Sequence, residues 1–329
     1  MKRISVLLLA LLLLAAACSA PATTLPATVM PTPPAVTPDV PFKAYPPELP
    51  PAGSETTKHI TLEVKDVKLE VAPGVVMKAW TFNGTVPGPA LHVRQGDTIE
   101  FTLVNHGSTD HSIDFHAAQT PWDKNYQSIK PGQSLSFTWK ANYPGVFMYH
   151  CGTPPVLHHI ISGMYGAIVV DPAQPLPPAK EYVLVQSEMY LTQQADGYYT
   201  PDSAKANAIA PTYVVFNGAA NQYRDTPLMA DPGQLVRMWV VNAGPTTFSA
   251  FHVIGALFQN TYADGNPANR QSGNQTVTIP PGGGYMVELT IPDAGLYPFV
   301  THSFAYTGLG ALGLLDVGNV PVPNMPVSH

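Results

Sequence analysis

Short runs of alternating apolar and polar residues dominate the chain from residue 57 onward. The segments HITLEVKDVKLEV, TIEFTLVN and SLSFTWKA alternate in this way, and the turn-forming sequences PGPA, RQGD and KPGQ separate such runs. Successive side chains of a strand point to opposite faces, so this alternation predicts strands with one buried face. No long amphipathic helix is evident in the pattern. The sequence therefore predicts an all-β protein built as sandwiches or barrels.

The strand pattern occurs twice, which predicts two tandem domains. Four segments of the first half return in the second half: TFNG as VFNG, QGDTIEFTLVN as PGQLVRMWVVN, YPGVFMYHC as DAGLYPFVTHS, and SGMYGAIVV as TGLGALGLL. We place the first domain at residues 57–172 and the second at residues 173–318, with a short tail at 319–329.

The N-terminal residues predict an export signal followed by a lipid anchor. A basic start leads into the apolar run VLLLALLLL, and the small residues AAA then precede Cys18. Such a segment is too short to span a membrane well and is typical of secretion signals. Its end resembles a bacterial lipobox, which implies that residues 1–18 form the signal and that Cys18 is lipidated. An ordinary signal peptide that is cleaved nearby is the alternative.

The next segment predicts a tether. Residues 19–56 are rich in proline, alanine and threonine, which have little to bury, and they should form an extended linker. We therefore expect an exported lipoprotein that faces the periplasm or the cell exterior and that contacts the membrane only through its anchor.

Composition limits the partners and the covalent chemistry. The 329 residues carry a net charge of −6, which gives no reason to expect nucleic-acid binding and suits a cationic protein partner. The chain has only two cysteines. Once the signal is processed, Cys151 is the only thiol of the predicted folded part, so no intrachain disulfide forms there.

Soft metal ligands cluster in the first repeat. The motif YHCGTPPVLHHIISGMYG contains Cys151, His159 and Met164, and the earlier motif HSIDFH begins with His111. One thiolate, two imidazoles and a weak thioether make up the ligand set of a blue-copper site. The second repeat has serine and leucine in place of the cysteine and the methionine, so the set occurs once. A buried free cysteine among polar loop residues is the alternative interpretation.

Strand parity predicts a second metal site beside the first. His150 and Cys151 are adjacent in a predicted strand, so their side chains should face opposite ways. His111 and His116 are an odd number of residues apart and should also face opposite ways. His116 and His150 would then share a second metal, with Asp114 on the same face.

A third imidazole for that site is predicted to come from the second repeat. Catalytic metal sites usually combine three protein ligands with one open position. His302 occupies the place of His150 in the second repeat, and His252 occupies that of His116. A head-to-tail ring of subunits would bring both against the first domain of a neighbour.

Taken together, the motifs resemble those of copper-containing nitrite reductases, from about Thr57 to Val317. HSIDFH, YHC…HIISGMYG, FHVIG and THS occur in the order of that family. The resemblance implies two cupredoxin-like Greek-key β-sandwich domains in a homotrimer. It implies one-electron, two-proton reduction of nitrite to nitric oxide, with electrons from a small cupredoxin or c-type cytochrome. The short Cys-to-His loop resembles the lipid-anchored branch of the family, which agrees with Cys18.

The resemblance also implies two coppers per chain and a role for each motif residue. The type 1 electron-transfer copper would be bound by His111, Cys151, His159 and Met164. The type 2 catalytic copper would be bound by His116, His150 and, from the adjacent subunit, His302. Asp114 and His252 would supply protons, Ile254 would shape the substrate pocket, and Thr276 would orient His252. Outside these motifs, we interpret His158 as a solvated loop residue.

Two other function classes remain open on the residues alone. A two-domain multicopper oxidase would need several His-x-His pairs for a trinuclear cluster, whereas HSIDFH carries Asp114 where a further histidine is expected. A non-catalytic cupredoxin that carries electrons or stores copper would not need His116, His150 or the histidines of the second repeat.

Overall fold

The computed structural model describes residues 35–323. The predicted signal, Cys18, the first part of the linker and residues 324–329 lie outside the described residues. Within the described range, no helix has both the length and the apolarity needed to cross a membrane.

The first domain consists of two sheets that enclose one core. Its elements follow in the order β1 (Thr57–Ala72), β2 (Val75–Phe82), β3 (Leu91–Arg94), β4 (Thr98–Asn105), β5 (Asp114–Phe115), α1 (Trp122–Asn125), β6 (Ser134–Lys140), β7 (Gly145–His150), α2 (Val156–Ile161) and β8 (Tyr165–Asp171). One sheet contains β2-β1-β4-β6, and the other has the order β3-β8-β7-β5.

The second domain repeats this two-sheet arrangement. Its elements are β9 (Lys180–Met189), β10 (Leu191–Gln193), β11 (Tyr199–Pro201), α3 (Ser203–Asn207), β12 (Tyr213–Phe216), α4 (Gln222–Asp225), β13 (Leu228–Ala230), β14 (Leu235–Gly244), β15 (Ser249–Val253), β16 (Phe258–Ala263), a 3-10 turn (Pro267–Asn269), β17 (Arg270–Asn274), β18 (Thr276–Ile279), β19 (Gly284–Thr290), β20 (Gly295–Thr301), α5 (Phe304–Thr307) and β21 (Leu312–Val317). Its sheets have the orders β12-β9-β14-β19-β16-β17 and β13-β21-β20-β15-β18. The predicted all-β fold is confirmed.

The burial of each strand explains its sequence pattern. In β4, buried positions alternate with more exposed ones, as in a strand with one covered face. In β14, nearly every residue is buried, because its sheet packs on both faces. Trp239 and Val241 share a core with Val146 and Met148 of the first domain. A strand that is covered on both faces has a nearly continuous apolar sequence, and in VRMWVV the one charged residue is Arg237.

A hairpin from the second half of the chain joins the first domain. The strands β10 and β11 extend the sheet of the first domain, and Tyr199 pairs in parallel with Met77 of β2. The division near residue 172 is therefore a change of repeat along the sequence, while the two domains interlock in space.

The final part of the Pro-rich segment packs on both domains. The Tyr45 hydroxyl donates a hydrogen bond to the Gly88 carbonyl at 2.9 Å, and the Tyr223 hydroxyl donates to the Tyr45 carbonyl at 2.8 Å. Main-chain bonds attach this part as well: the Val183 N–H donates to the Pro47 carbonyl at 2.7 Å, and the Leu49 N–H donates to the Glu181 carbonyl at 3.2 Å. Composition predicts a linker that continues to residue 56. The last part of the predicted linker is therefore bound to the folded domains, which the proline, alanine and threonine content does not indicate.

Candidate metal centres

Three ligand atoms meet inside the first domain. Cys151 follows β7, His111 precedes β5, and His159 lies in α2. The Cys151 Sγ atom is 3.8 Å from Nδ1 of His111 and 3.2 Å from Nδ1 of His159, and the two nitrogens are 3.3 Å apart. All three residues are buried. One soft sulfur and two imidazole nitrogens therefore face a common space in which one ion can contact all of them.

Backbone groups hold the cysteine in this position. The Cys151 N–H donates to the carbonyl of Met164 at 3.1 Å, and Met164 is itself fully buried in the same core. The Ser112 N–H lies 3.3 Å from the Cys151 sulfur, and the Ser112 hydroxyl accepts a hydrogen bond from the Gly152 N–H at 3.0 Å. These contacts hold the sulfur in place between the two imidazoles. Sequence reasoning did not identify Ser112, whose only signal is its position next to His111.

Burial keeps both imidazoles of this cluster neutral. It lowers the pKa of His111 to about 3, with a further contribution from His159, and it lowers the pKa of His159 to about 4, with a further contribution from His158. Neutral imidazole is the form that binds metals. The Trp80 ring covers both ligand rings, with centroid distances of 5.2 Å to His111 and 4.9 Å to His159.

His158 lies outside the cluster but is not a solvated loop residue. It is half-buried in α2, and its Nδ1 atom is 3.0 Å from the Ser203 hydroxyl of α3. Its ring also packs edge-on against Trp80 at 5.3 Å. The interpretation from sequence is wrong on this point, because α3 packs against α2 and covers the histidine.

A second group of ligand atoms lies beside the first. The Nε2 atoms of His116 and His150 are 3.2 Å apart, and Oδ2 of Asp114 is 3.8 Å from Nε2 of His150. Asp114 is the direct partner of His150 in the β5–β7 ladder. These three side chains form a possible metal site that is separate from the buried cluster.

Hydrogen bonds to carbonyls fix the tautomer of both imidazoles in this second group. Nδ1 of His150 lies 2.9 Å from the Cys151 carbonyl, and Nδ1 of His116 lies 3.1 Å from the Gly282 carbonyl. A carbonyl oxygen only accepts, so each Nδ1 carries the proton and each Nε2 presents a lone pair. Two lone pairs that face each other at this distance suit a cation between them.

Strand parity predicts that the two groups of ligand atoms are separate, but part of its premise is wrong. HSIDFH is not one continuous strand, because β5 contains only Asp114 and Phe115, while His111 forms an isolated bridge with Ile129. His116 lies in the turn that follows β5. The apolar residues Ile113 and Phe115 point into the core, and this leaves Asp114 and His116 together on the other side.

Two further histidines lie side by side on the second domain. His252 is in β15 and His302 follows β20, with ring centroids 5.5 Å apart. His302 is exposed, and the ligand group of Asp114, His116 and His150 contains neither residue within the described chain.

A main-chain carbonyl orients His252. Its Nδ1 atom is 2.6 Å from the Gln275 carbonyl, whereas Thr276 lies opposite His252 in the β15–β18 ladder. Sequence reasoning selected Thr276 and did not identify Gln275, because every residue has a carbonyl and its use leaves no trace in the sequence.

Exposed apolar side chains accompany these two histidines. The Phe304 ring is 4.7 Å from the His302 ring, and Ile254 and Leu257 are 38% and 63% exposed. Leu257 and His252 line the same open groove. An apolar surface of this kind is typical of an interaction site.

Comparisons with known proteins agree with this geometry. Residues 63–175 match the family model described as multicopper oxidase. A copper-containing nitrite reductase of Neisseria gonorrhoeae is 38% identical over 290 residues, which cover 85% of this chain and 74% of that protein. The structure of copper nitrite reductase from Nitrosomonas europaea aligns with a TM-score of 0.75 at 38% identity, over 80% of this chain and 94% of that one.

A third comparison comes from a thermophile. The Cu-containing nitrite reductase from Thermus scotoductus SA-01 aligns with a TM-score of 0.74 at 33% identity, over 82% of this chain and 64% of that one. The resemblance predicted from the motifs is confirmed: this chain belongs to the family of copper-containing nitrite reductases.

Proposed function

We propose that the protein reduces nitrite to nitric oxide at a metal site shared between two chains and supplied with electrons by a buried metal site. In the balanced reaction, nitrite, one electron and two protons give nitric oxide and water. One observation carries the proposal: Cys151 of the buried cluster and His150 of the second group are neighbours along the chain.

The donor atoms fit two coppers per chain. The buried cluster matches a type 1 site formed by His111, Cys151, His159 and Met164. The second group matches a type 2 site formed by His116, His150 and, from a neighbouring subunit, His302. When bound, the copper held by the buried cluster would supply one-electron redox chemistry, and the copper held by the second group would supply Lewis-acid polarisation of nitrite.

Two short connections join the two groups of ligands. One is the peptide bond between His150 and Cys151. The other is the hydrogen bond from Nδ1 of His150 to the Cys151 carbonyl, at 2.9 Å. Both connections have fixed geometry because β7 lies inside its sheet between β8 and β5.

Asp114 and His252 are proposed to supply the protons. The Asp114 carboxyl lies beside the His150 Nε2 atom, at the edge of the second group. In His252, the Gln275 carbonyl holds the proton on Nδ1 and leaves Nε2 free to take a proton and pass it on. Ile254 would limit the space above the substrate, and the Thr276 hydroxyl would add a second constraint on His252.

A ring-shaped homotrimer is proposed because, among residues 35–323, the second group contains only two imidazoles. His302 and His252 are on the surface of the second domain, beside Phe304. A head-to-tail contact places the second domain of one chain on the first domain of the next, and repetition of this contact closes a ring.

Anaerobic turnover with metal counting tests the proposed function. Copper-loaded protein is given nitrite and a chemical reductant, and nitric oxide is detected directly. Two coppers per chain with nitric oxide production support the reductase. Four coppers per chain with oxygen consumption on phenols would indicate a multicopper oxidase, and one copper without turnover would indicate an electron carrier.

The cellular setting is a further part of the proposal. The net charge of −6 suits a cationic electron donor, either a small cupredoxin or a c-type cytochrome. The lipobox-like sequence at Cys18 supports an exported protein held at a membrane by lipid alone. Stable attachment requires more than one acyl chain. Mass spectrometry of the mature N-terminus tests the anchor, and an unmodified N-terminus downstream of Cys18 would exclude it.

A further inference from the structure

A turn of the second domain touches a ligand of the first. The Gly282 carbonyl accepts the hydrogen bond from Nδ1 of His116 at 3.1 Å. A Cβ atom added at Gly282 would lie 3.2 Å from Cε1 of the same ring, which is closer than an ordinary contact. The turn therefore meets His116 both through a polar bond and through close packing.

Buried hydrogen bonds hold this turn in place. The Gly282 N–H donates to the Asn242 carbonyl at 2.7 Å, and the Asn242 N–H donates to the Gly283 carbonyl at 3.0 Å. The Asn242 side chain is fully buried and donates to the carbonyls of Thr247 and Ile279. The carbonyl that contacts His116 thus belongs to a fixed part of the second domain.

The first domain has the same turn without this contact. The Gly132 N–H donates to the Asn105 carbonyl at 2.8 Å, as the equivalent of the bond from Gly282 to Asn242. The two glycines have nearly equal φ values, +80° for Gly132 and +78° for Gly282. A Cβ atom at Gly132 would have no neighbour within 4 Å. The left-handed turn explains why both positions are glycine, but it does not explain why Gly282 lies against His116.

We propose that Gly282 is a positioning residue of the type 2 site. Its carbonyl holds the proton of His116 on Nδ1 and fixes the ring, so that Nε2 faces Nε2 of His150. This inference rests on the proposed function, because it takes His116 as a copper ligand. Each type 2 site then draws on three domains: two ligands from one first domain, a carbonyl from the second domain of the same chain, and His302 from a neighbour.

A pair of matched substitutions tests the role of Gly282. Gly282→Ala and Gly132→Ala place a methyl group on the same left-handed backbone, so the strain within the turn is similar. Only Gly282→Ala pushes against the His116 ring. Loss of an outer partner of a metal-bound histidine typically weakens binding about 10- to 100-fold. We expect a loss of that size in type 2 copper retention against a chelator for Gly282→Ala and no such loss for Gly132→Ala.

Other readouts separate positioning from general damage to the fold. The type 1 visible band should be unchanged in both variants, and both melting temperatures should fall, because both turns take up the same backbone strain. The electron paramagnetic resonance signal of the type 2 copper should change only in Gly282→Ala. If Gly282→Ala does not fold, Gly282→Asn and Gly132→Asn replace the pair, because asparagine tolerates the left-handed region better than alanine.

The results distinguish this inference from the function on which it rests. Equal copper retention in the two variants, with two coppers in the unaltered protein, overturns the role of Gly282 and leaves the proposed function intact. An unaltered protein that binds no second copper overturns the proposed function and this inference with it. Nitrogen NMR of the metal-free, histidine-labelled protein gives a test independent of copper, since a proton on Nε2 of His116 would contradict the positioning role.

Discussion

The two domains share one arrangement of strands and turns and differ in the side chains that this arrangement positions. Asn105 and Asn242 occupy equivalent places, and both are fully buried. The Asn105 amide donates to the carbonyls of Thr109 and Ile129, and the Asn242 amide donates to the equivalent pair in the second domain. The loop that this asparagine holds leads to the proposed metal ligand His111 in the first domain and to Ser249 in the second, each of which pairs with the equivalent isoleucine.

The difference shows that the fold and the chemistry are separable. The core of the second domain is built from aromatic and aliphatic side chains such as Phe251, Phe299 and Leu315, all fully buried. The first domain adds a cysteine, two histidines and a methionine at one end of the same sandwich. The second domain contributes surface histidines instead, at His252 and His302. Sites of this kind are added to a fold that burial already stabilises.

The largest expected effect comes from removing the ligand that the second repeat lacks. Cys151→Ala should abolish the intense visible band of the copper-loaded protein, because that band needs a copper–thiolate bond. The type 2 copper should remain, since its ligands are untouched. The matched control is Thr301→Ala, because the strand registers place Thr301, rather than Ser303, at the equivalent of Cys151. This variant should leave the band unchanged. A band that persists in Cys151→Ala would contradict the assignment of the type 1 site.

A second comparison concerns the same position in β4 and β14. Glu100 is largely exposed and pairs with His59 at 3.1 Å, whereas Arg237 is fully buried and binds Glu181 and Glu288 at 2.8 and 2.7 Å. Arg237→Met should lower the free energy of unfolding by about 3–5 kcal/mol, because it removes the cation that pairs with the buried Glu288 carboxylate. Urea unfolding provides the measurement.

The exposed position supplies the control for this prediction. Glu100→Gln should change the unfolding free energy by about 0.5 kcal/mol or less, because water screens a surface pair. Equal effects at Glu100 and Arg237 would mean that burial of this strand position does not distinguish the two domains.

The next prediction concerns a carboxyl that only the first domain places beside a ligand. Asp114→Asn keeps the shape of the side chain but cannot relay a proton, so turnover should fall about 100-fold, equivalent to about 2.7 kcal/mol. Copper content and the visible spectrum should be unchanged. His252→Asn should also reduce turnover and alter its pH dependence. The control is Asp123→Asn, at an exposed carboxyl of α1, and near-normal turnover in both test variants would exclude this proton pair.

The smallest expected signal tests whether the first domain of one chain and the second domain of a neighbouring chain form a shared site. His116→Ala and His302→Ala should each be inactive alone, but mixed trimers should regain about a quarter of the sites, because a site then needs one intact residue from each of two chains. Nitrite turnover after co-expression measures the recovery. A chain carrying both substitutions, mixed with His302→Ala, should show none, and full activity in a demonstrated monomer would rule out the shared site.

The chemistry of the sites was predictable from the sequence because it depends on residue type and order. A thiol, imidazoles and a thioether are visible in the letters, and their single occurrence in a twofold repeat separates them from packing residues. The fold was predictable for the same reason, since alternation along the strands reports one-sided burial. The turn that leaves Asp114 and His116 on one side was not predictable, because it depends on how the core accepts Ile113 and Phe115.

The tertiary structure alone decided which groups support the ligands. The carbonyls of Gly282, Gln275 and Cys151 each fix the tautomer of a histidine. Every residue has such a carbonyl, so the sequence does not distinguish these three from any other. The contact from Gly282 to His116 spans 166 residues and depends on how one domain packs against the other. The sequence by itself determined the candidate ligands and the two-domain fold, and only the tertiary structure decided which main-chain groups orient them.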